Sequence, residues 1–290
     1  MRGSDVGAAM TPLAKLPFMN PSRIAFVGGG NMARALIGGL LRAGWPATSL
    51  IVVEPGHAQR AGLAQDFGIA PQEAADERLA AAATVVWAVK PQLFAQAAAP
   101  CAPFVAQALQ LSVMAGIRSS AISAATGSAR VVRAMPNTPA LIGRGIAGLY
   151  ARPGVTDPER ADVEALLAPT GALLWVDREA DLDAVTALSG SGPAYVFYVL
   201  EAMMQAATTM GLSAEQGRAL ALATLDGATE LARRSPESPE TLRAQVTSKG
   251  GTTFAAISAL EAAGVKAAFV GALQAAQSRA HELGDEFGAA

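Results

Sequence analysis

R-I-A-F-V-G-G-G-N-M-A, residues 23–33, is the stretch from which the fold can be read. A short apolar run meets three glycines. Asn31 then opens a pattern of helical period that reaches Arg42, and Gly44 stops it. A strand that turns through glycine straight into a helix leaves the first helical N–H groups unpaired and the positive end of the helix dipole facing outward, which suits an anion. Gly28, Gly30 and Ala33 match the spacing G-x-G-x-x-A, with Asn31 and Met32 between. The first glycine permits the tight turn, the second lets backbone approach a pyrophosphate, and the alanine allows close helix–sheet packing. Strand, turn and helix in this order read as a dinucleotide-binding unit, with a purely structural glycine turn as the alternative.

Working outward, apolar runs recur at 50–53, 84–89, 109–114 and 130–135, separated by helical stretches such as 57–67 and one opening at Ser119 or Ser120 as its cap. Continuous apolar runs of this kind predict strands buried on both faces of a parallel sheet, and residues 146–150 and 173–176 could complete it. Asp157-Pro158 predicts an N-cap followed by proline in the first turn. The expectation is a doubly wound α/β domain over residues 21–180, with residues 1–20 a disordered amino-terminal extension. After about Asp177 strand-like runs vanish, and alanine, leucine and methionine at helical spacing dominate to residue 290. Many of these helices lack a polar face, which predicts burial against another subunit and hence a homo-oligomer.

Composition narrows the chemistry. With 22 basic and 24 acidic side chains the net charge is −2, so phosphate neutralisation on nucleic acid is not expected. One cysteine, Cys101, and two distant histidines, His57 and His281, exclude an intrachain disulfide and leave little for a metal site. Residues 91–117 carry no charge, but Pro91, Pro100 and Pro103 and four glutamines argue for a helix, a loop and a buried strand rather than a membrane span. The first 20 residues lack the continuous apolar core of a signal peptide. A soluble, cytoplasmic protein is expected.

Further candidates stand at predicted strand ends, where open α/β sheets bind ligands. Glu54 ends the second strand, where an acidic residue typically grips the adenosine ribose hydroxyls of NAD. Its carboxylate would repel a 2′-phosphate, although Arg34 and Arg60 nearby keep NADP open. Ala88, Val89, Lys90 and Pro91 end the third strand, and Asn137 lies in a proline-flanked polar loop after the fifth. Ser189-Gly190-Ser191-Gly192-Pro193 reads as a close-packed helix restart capped by Ser191. By contrast Thr247-Ser248-Lys249-Gly250-Gly251-Thr252-Thr253 offers backbone N–H groups, hydroxyls and a helix start, all suited to a carboxylate.

Together F-V-G-G-G-N-M-A (26–33), A-V-K-P (88–91), R-A-M-P-N-T-P (133–139), A-L-S-G-S-G-P-A-Y (187–195) and T-S-K-G-G-T-T (247–253) resemble the pyrroline-5-carboxylate reductases, in the family's order and over residues 23–285. The last two motifs are the most specific. The resemblance implies a Rossmann-type doubly wound parallel sheet followed by an all-helical dimerisation and substrate-binding domain over 181–290. It also implies reduction of 1-pyrroline-5-carboxylate to L-proline with NADPH or NADH. By the same similarity Ser248, Gly250, Gly251, Thr252 and Thr253 form the substrate loop, while Lys90, Pro91 and Asn137 fall beside the nicotinamide. Such a reaction needs no strong general base, because the protonated imine already carries its proton. Backbone N–H groups of the loop would hold the carboxylate and Thr253, one turn into its helix, would hydrogen-bond the ring nitrogen. One departure is that Lys249 stands where the family usually has proline, which removes a restriction on φ and predicts a looser loop. The alternatives are a β-hydroxyacid dehydrogenase, for which Lys266 is the only candidate catalytic lysine in the carboxy-terminal helices, and a non-catalytic NAD(P)-sensing dimer.

Overall fold

Runs that are apolar on both faces must be covered on both faces, and this requirement organises the first two-thirds of the chain. The computed structural model describes residues 22–288, so the expected extension over 1–20 lies outside the described residues. Seven strands, β1 (Ile24–Val27), β2 (Leu50–Val53), β3 (Thr84–Trp87), β4 (Leu109–Ser112), β5 (Val131–Met135), β6 (Gly145–Ala151) and β7 (Gly171–Trp175), form one sheet in the order β2-β1-β3-β4-β5-β6-β7. Helices α1 (Asn31–Arg42), α2 (His57–Phe67), α3 (Phe94–Val105), α4 (Ser119–Thr126) and α5 (Asp157–Leu167) cover it. Two buried clusters result, one on each face: Phe26, Leu36, Val86 and Leu149 on one side, Val27, Trp87, Phe94 and Ile122 on the other.

The sheet departs from the all-parallel expectation at one place. β6 runs antiparallel to β5, pairing Val132 with Ala151 and Met135 with Gly148, and β7 then runs parallel to β6. The physical reason is the length of the connection. Residues 136–144 hold only a 3-10 turn (Thr138–Ile142), too short for the crossover that a parallel neighbour needs. Pro100 and Pro103 also lie inside α3 instead of breaking it. Each removes one donor, and the buried face of Ala98, Cys101 and Val105 holds the helix across the gaps. Two expected caps shift: Thr156, not Asp157, caps α5 through a reciprocal capping box with Glu159, and no hydroxyl of its own helix caps α4. Instead the Glu179 carboxylate accepts both the backbone N–H and the hydroxyl of Ser119, each at 2.6 Å.

From Asp181 the chain is helical: α6 (Asp181–Val185), a single π turn (Thr186–Gly190), α7 (Gly192–Thr209), α8 (Ala214–Arg234), α9 (Pro239–Gln245), α10 (Thr252–Ala262) and α11 (Val265–Gly288). Ser213 caps α8 through a capping box with Gln216, whereas the Ser191 side chain makes no cap bond to α7 because its backbone is already helical. α6 lies on the sheet so closely that a Cβ on Gly148 would stand 2.6 Å from Val185 Cγ1. α11 returns to the same region: Gly284 passes against the Arg118 guanidinium and Phe287 packs beside Gly116. Arg118 holds Asp183 through two bonds of 3.0 Å, Arg133 donates to Glu179 at 2.9 Å, and His281 Nδ1 lies 3.3 Å from Asp183. By contrast the outer faces of these helices expose Val196, Phe197, Tyr198, Leu220, Phe254 and Phe269. Among the described residues no single helix is long and apolar enough to cross a membrane, and α10 with α11 passes that test only as a pair bent by 53°.

Burial pushes the Glu179 carboxyl up, but the Ser119 hydrogen bonds and the Arg133 charge outweigh it and hold the group below its ordinary value. A carboxylate held low adds stability above its unfolded-state pKa and loses it as pH falls through the native one. Glu179→Gln is therefore expected to cost about 1–3 kcal/mol at pH 7, and less near pH 4. Urea unfolding of both proteins at the two pH values checks this, and an equal loss at both would count against the charge as the cause.

Candidate active site

Parallel register brings the carboxyl ends of β2, β1 and β3 level, Val27 pairing with Val53 on one side and Trp87 on the other. The chain then has to turn between two neighbours. Gly28 does so with φ +99, its N–H donating to Val53 O at 2.8 Å, and a Cβ there would stand 2.7 Å from Ala88 O and 2.9 Å from Val89 Cγ1. Only glycine fits both the dihedral and the space. Gly30 differs: an added Cβ would meet nothing within 4 Å. It is the N-cap of α1, whose first turn has no side-chain cap and no acidic residue. Unclaimed N–H donors beside open space at a helix N-terminus are what a pyrophosphate requires. Ala33 is fully buried beneath them, while Asn31 is exposed and Met32 half-buried.

Glu54 reaches into this loop. Its Oε2 accepts the Gly29 N–H at 2.7 Å and its Oε1 accepts the Gly56 N–H at 2.7 Å. Arg60 donates to the carbonyls of Glu54 (2.9 Å) and Pro55 (2.6 Å) and to Glu73 (2.9 Å), while Arg34 pairs with Asp66 and lies over the Phe67 ring. On the other side Lys90 is exposed and caps the 3-10 turn Pro91–Leu93. The structure thus gathers Gly28, Gly30, Asn31, Met32, Ala33, Glu54, Ala88, Val89, Lys90 and Pro91 along one edge of the sheet.

Asn137 follows β5 at the same edge. Its Nδ2 donates to Ser189 O at 3.2 Å and its Oδ1 accepts the Ile146 N–H at 3.0 Å, so the amide ties the β5–β6 turn to the π turn before α7. Beside it lies an apolar groove of about 500 Å³, lined by Asn137, Ser189, Pro193, Tyr195 and, from α8 and α11, Leu225 and Phe269. Ser189 and Pro193 belong to a motif whose residues, taken by themselves, read as a close-packed helix restart; the pairing with Asn137, 52 positions away, carries no local signal. A packing role is also present, since a Cβ on Gly190 would stand 2.5 Å from Met135 Cε.

The Ser248–Thr253 segment forms a tight turn. Gly251 N–H donates to Ser248 O at 3.0 Å and Gly250 has φ +78, which makes Lys249 and Gly250 the central pair of a turn with type II character. Gly251 caps α10, which starts at Thr252 without a side-chain cap. Thr253 is therefore within the first turn of the helix, not one turn in as the sequence suggests. Ser248, Lys249, Gly250 and Thr252 are exposed, and Gly251 and Thr253 half-buried.

Comparisons with known proteins agree with this anatomy. Residues 23–116 match the family described as NADP oxidoreductase coenzyme F420-dependent, and residues 179–283 match pyrroline-5-carboxylate reductase dimerisation. The pyrroline-5-carboxylate reductase of Pseudomonas aeruginosa is 44% identical over 272 residues, covering 93% of this chain and all of that protein. That of Haemophilus influenzae is 40% identical over 91% of this chain and 98% of the relative. The Coxiella burnetii enzyme structure superposes with a TM-score of 0.83 at 35% identity, covering 91% of this chain and 99% of that one. A Plasmodium falciparum structure with NADP bound gives 0.82 at 26% identity over 90% and 98%. The chain belongs to the pyrroline-5-carboxylate reductase family.

Proposed function

We infer that this chain is an NAD(P)H-dependent oxidoreductase that reduces 1-pyrroline-5-carboxylate to L-proline, the last step of proline biosynthesis. The observation that carries this is the pair of sites built on backbone N–H groups: an uncapped α1 N-terminus beside an open Gly30, and the Ser248–Gly251 turn leading into an uncapped α10. One suits a pyrophosphate and the other a carboxylate. We assign residues 21–180 to the dinucleotide and residues 181–290 to dimerisation and substrate, and take the protein to work in the cytoplasm as a homodimer.

Bound NAD(P)H supplies the hydride, received by the imine carbon. The protein's part is placement. The N–H groups at Gly30–Ala33 hold the pyrophosphate and Glu54 the adenosine ribose. Ala88–Pro91 and Asn137 border the nicotinamide, and Gly250, Gly251 and the hydroxyls of Ser248 and Thr252 hold the substrate carboxylate. Thr253 hydrogen-bonds the ring nitrogen, whose proton is already present, so no strong base is needed. Lysine is tolerated at 249 because the turn depends on the positive φ of Gly250.

Among the described residues of one chain the hydrogen bonds of this loop are local, and residues 247–253 contribute nothing to the groove beside Asn137. This supports a site completed on assembly, with the loop of one protomer facing the sheet edge of its partner.

Thr253→Ala is expected to lower kcat about 10–100-fold with NADH and NADPH affinity unchanged; oxidation of both cofactors with 1-pyrroline-5-carboxylate checks it, and wild-type turnover would sink the assignment. Lys249→Pro is expected to raise stability by about 0.4–1 kcal/mol, read from the urea midpoint; a lower midpoint would show that the turn geometry is otherwise. Co-expression of Gly30→Ala with Thr253→Ala chains is expected to restore about a quarter of wild-type activity, because half of randomly paired dimers carry one intact shared site. No recovery would place each site within one chain.

A further inference from the structure

We propose that Glu54 makes the cofactor site selective for NADH over NADPH, by holding a fixed negative charge where a 2′-phosphate would have to bind. The proposal deepens the dinucleotide reading and rests on it. A glutamate at a strand end could in principle rotate away from an incoming phosphate. This one is pinned at both oxygens, to Gly29 N–H and to Gly56 N–H, each at 2.7 Å.

The second bond matters most. Gly56 is the N-cap of α2, an eleven-residue helix with no acidic residue in its first turn. Its N-terminus is the natural anion site for a phosphate leaving the ribose. Glu54 already takes the Gly56 donor, and Gln59 Oε1 crowds the same residue, 2.4 Å from where a Cβ on Gly56 would be.

The cations that could offset this are engaged elsewhere. Arg60 bonds the carbonyls of Glu54 and Pro55 and pairs with Glu73. Arg34 pairs with Asp66 and stacks on Phe67. The charged groups around the ribose end are therefore three carboxylates against two arginines, with both arginines spent. A phosphate would meet the bare repulsion of Glu54, whereas a ribose 2′-hydroxyl can donate to the same oxygens.

Calorimetric titration of the intact protein with ADP-ribose and with 2′-phospho-ADP-ribose tests the ribose end without the reaction, and kcat/KM with NADH and NADPH tests it within the reaction. The expected result is at least about tenfold tighter binding of ADP-ribose, matched by the kcat/KM ratio. In Glu54→Gln the ratio should fall toward one, mainly through gain by the phosphorylated ligand. Equal or tighter binding of 2′-phospho-ADP-ribose to the wild type, which needs no variant to fold, overturns the proposal. So does a folded Glu54→Gln protein with an unchanged ratio. If neither ligand binds the wild type, the dinucleotide reading itself falls and the proposal with it. If both bind without discrimination, only the role of Glu54 is lost.

Discussion

The ligand edge depends on how closely three strand ends approach at Gly28. Its N–H is bonded to Val53 and a Cβ on it would stand 2.7 Å from the Ala88 carbonyl oxygen, with φ in a region closed to other residues at this spacing. A side chain here would push β3 from β1 and open the sheet exactly where its ends are level. Because the approach is so close, the Glu54 side chain spans from the end of β2 to Gly29, and Ala88–Pro91 is carried to the other flank of the same turn. The glycine is thus less a flexible element than a spacer of minimum thickness, and the positions of the surrounding candidates follow from it.

The helical half is fixed to this frame by a small number of polar contacts placed where they are sheltered. Glu179 caps α4 and neutralises Arg133, a strand residue that is 4% exposed. Asp183, equally buried, is held by Arg118 in a fork of two bonds. Breaking either pair would leave an uncompensated buried charge, which is the costly side of a buried ion pair. Farther along, Asn137 spends both ends of its amide on Ile146 and Ser189. The π turn between Val185 and α7 therefore meets the β5–β6 loop at one fixed distance, and the mouth of the apolar groove is set by that bond.

How much of this could be read from the sequence follows from the range of the interactions. Strand runs and the glycine turn are local patterns, and residues 24–27, 50–53 and 84–87 form strands as their apolar runs imply. The gathering of Glu54 and Val89 around Gly28 also follows from a known topology. The reversal of β6 was not legible, because apolar runs carry no direction; only the short span of 136–144 hinted at it. The prolines of α3 misled because their cost is local while the burial of Ala98 and Cys101 that overrides it is tertiary. The cap of α4 comes from Glu179, 60 residues downstream, where no sequence motif points. Thr253 reads from the sequence as lying one turn into its helix but stands in the first turn, because the start of α10 at Thr252 is set by backbone dihedrals that a run of glycines and hydroxyl residues leaves open.

That assembly has an energetic cause in the same residues. The chain has 66 alanines, and its helical half leaves large apolar side chains open, among them Phe197, Tyr198, Leu220 and Phe269. Small side chains let helices approach closely, and each large apolar group covered contributes about 1.5–3 kcal/mol. A few such groups outweigh the cost of association, so a free monomer is the unfavourable state. The Ser248–Thr253 turn sits between α9 and α10, with exposed Val246 before it and Phe254 after it. Docking the helices therefore also fixes where an otherwise exposed turn points. Association and the covering of this turn are then two results of closing one apolar surface.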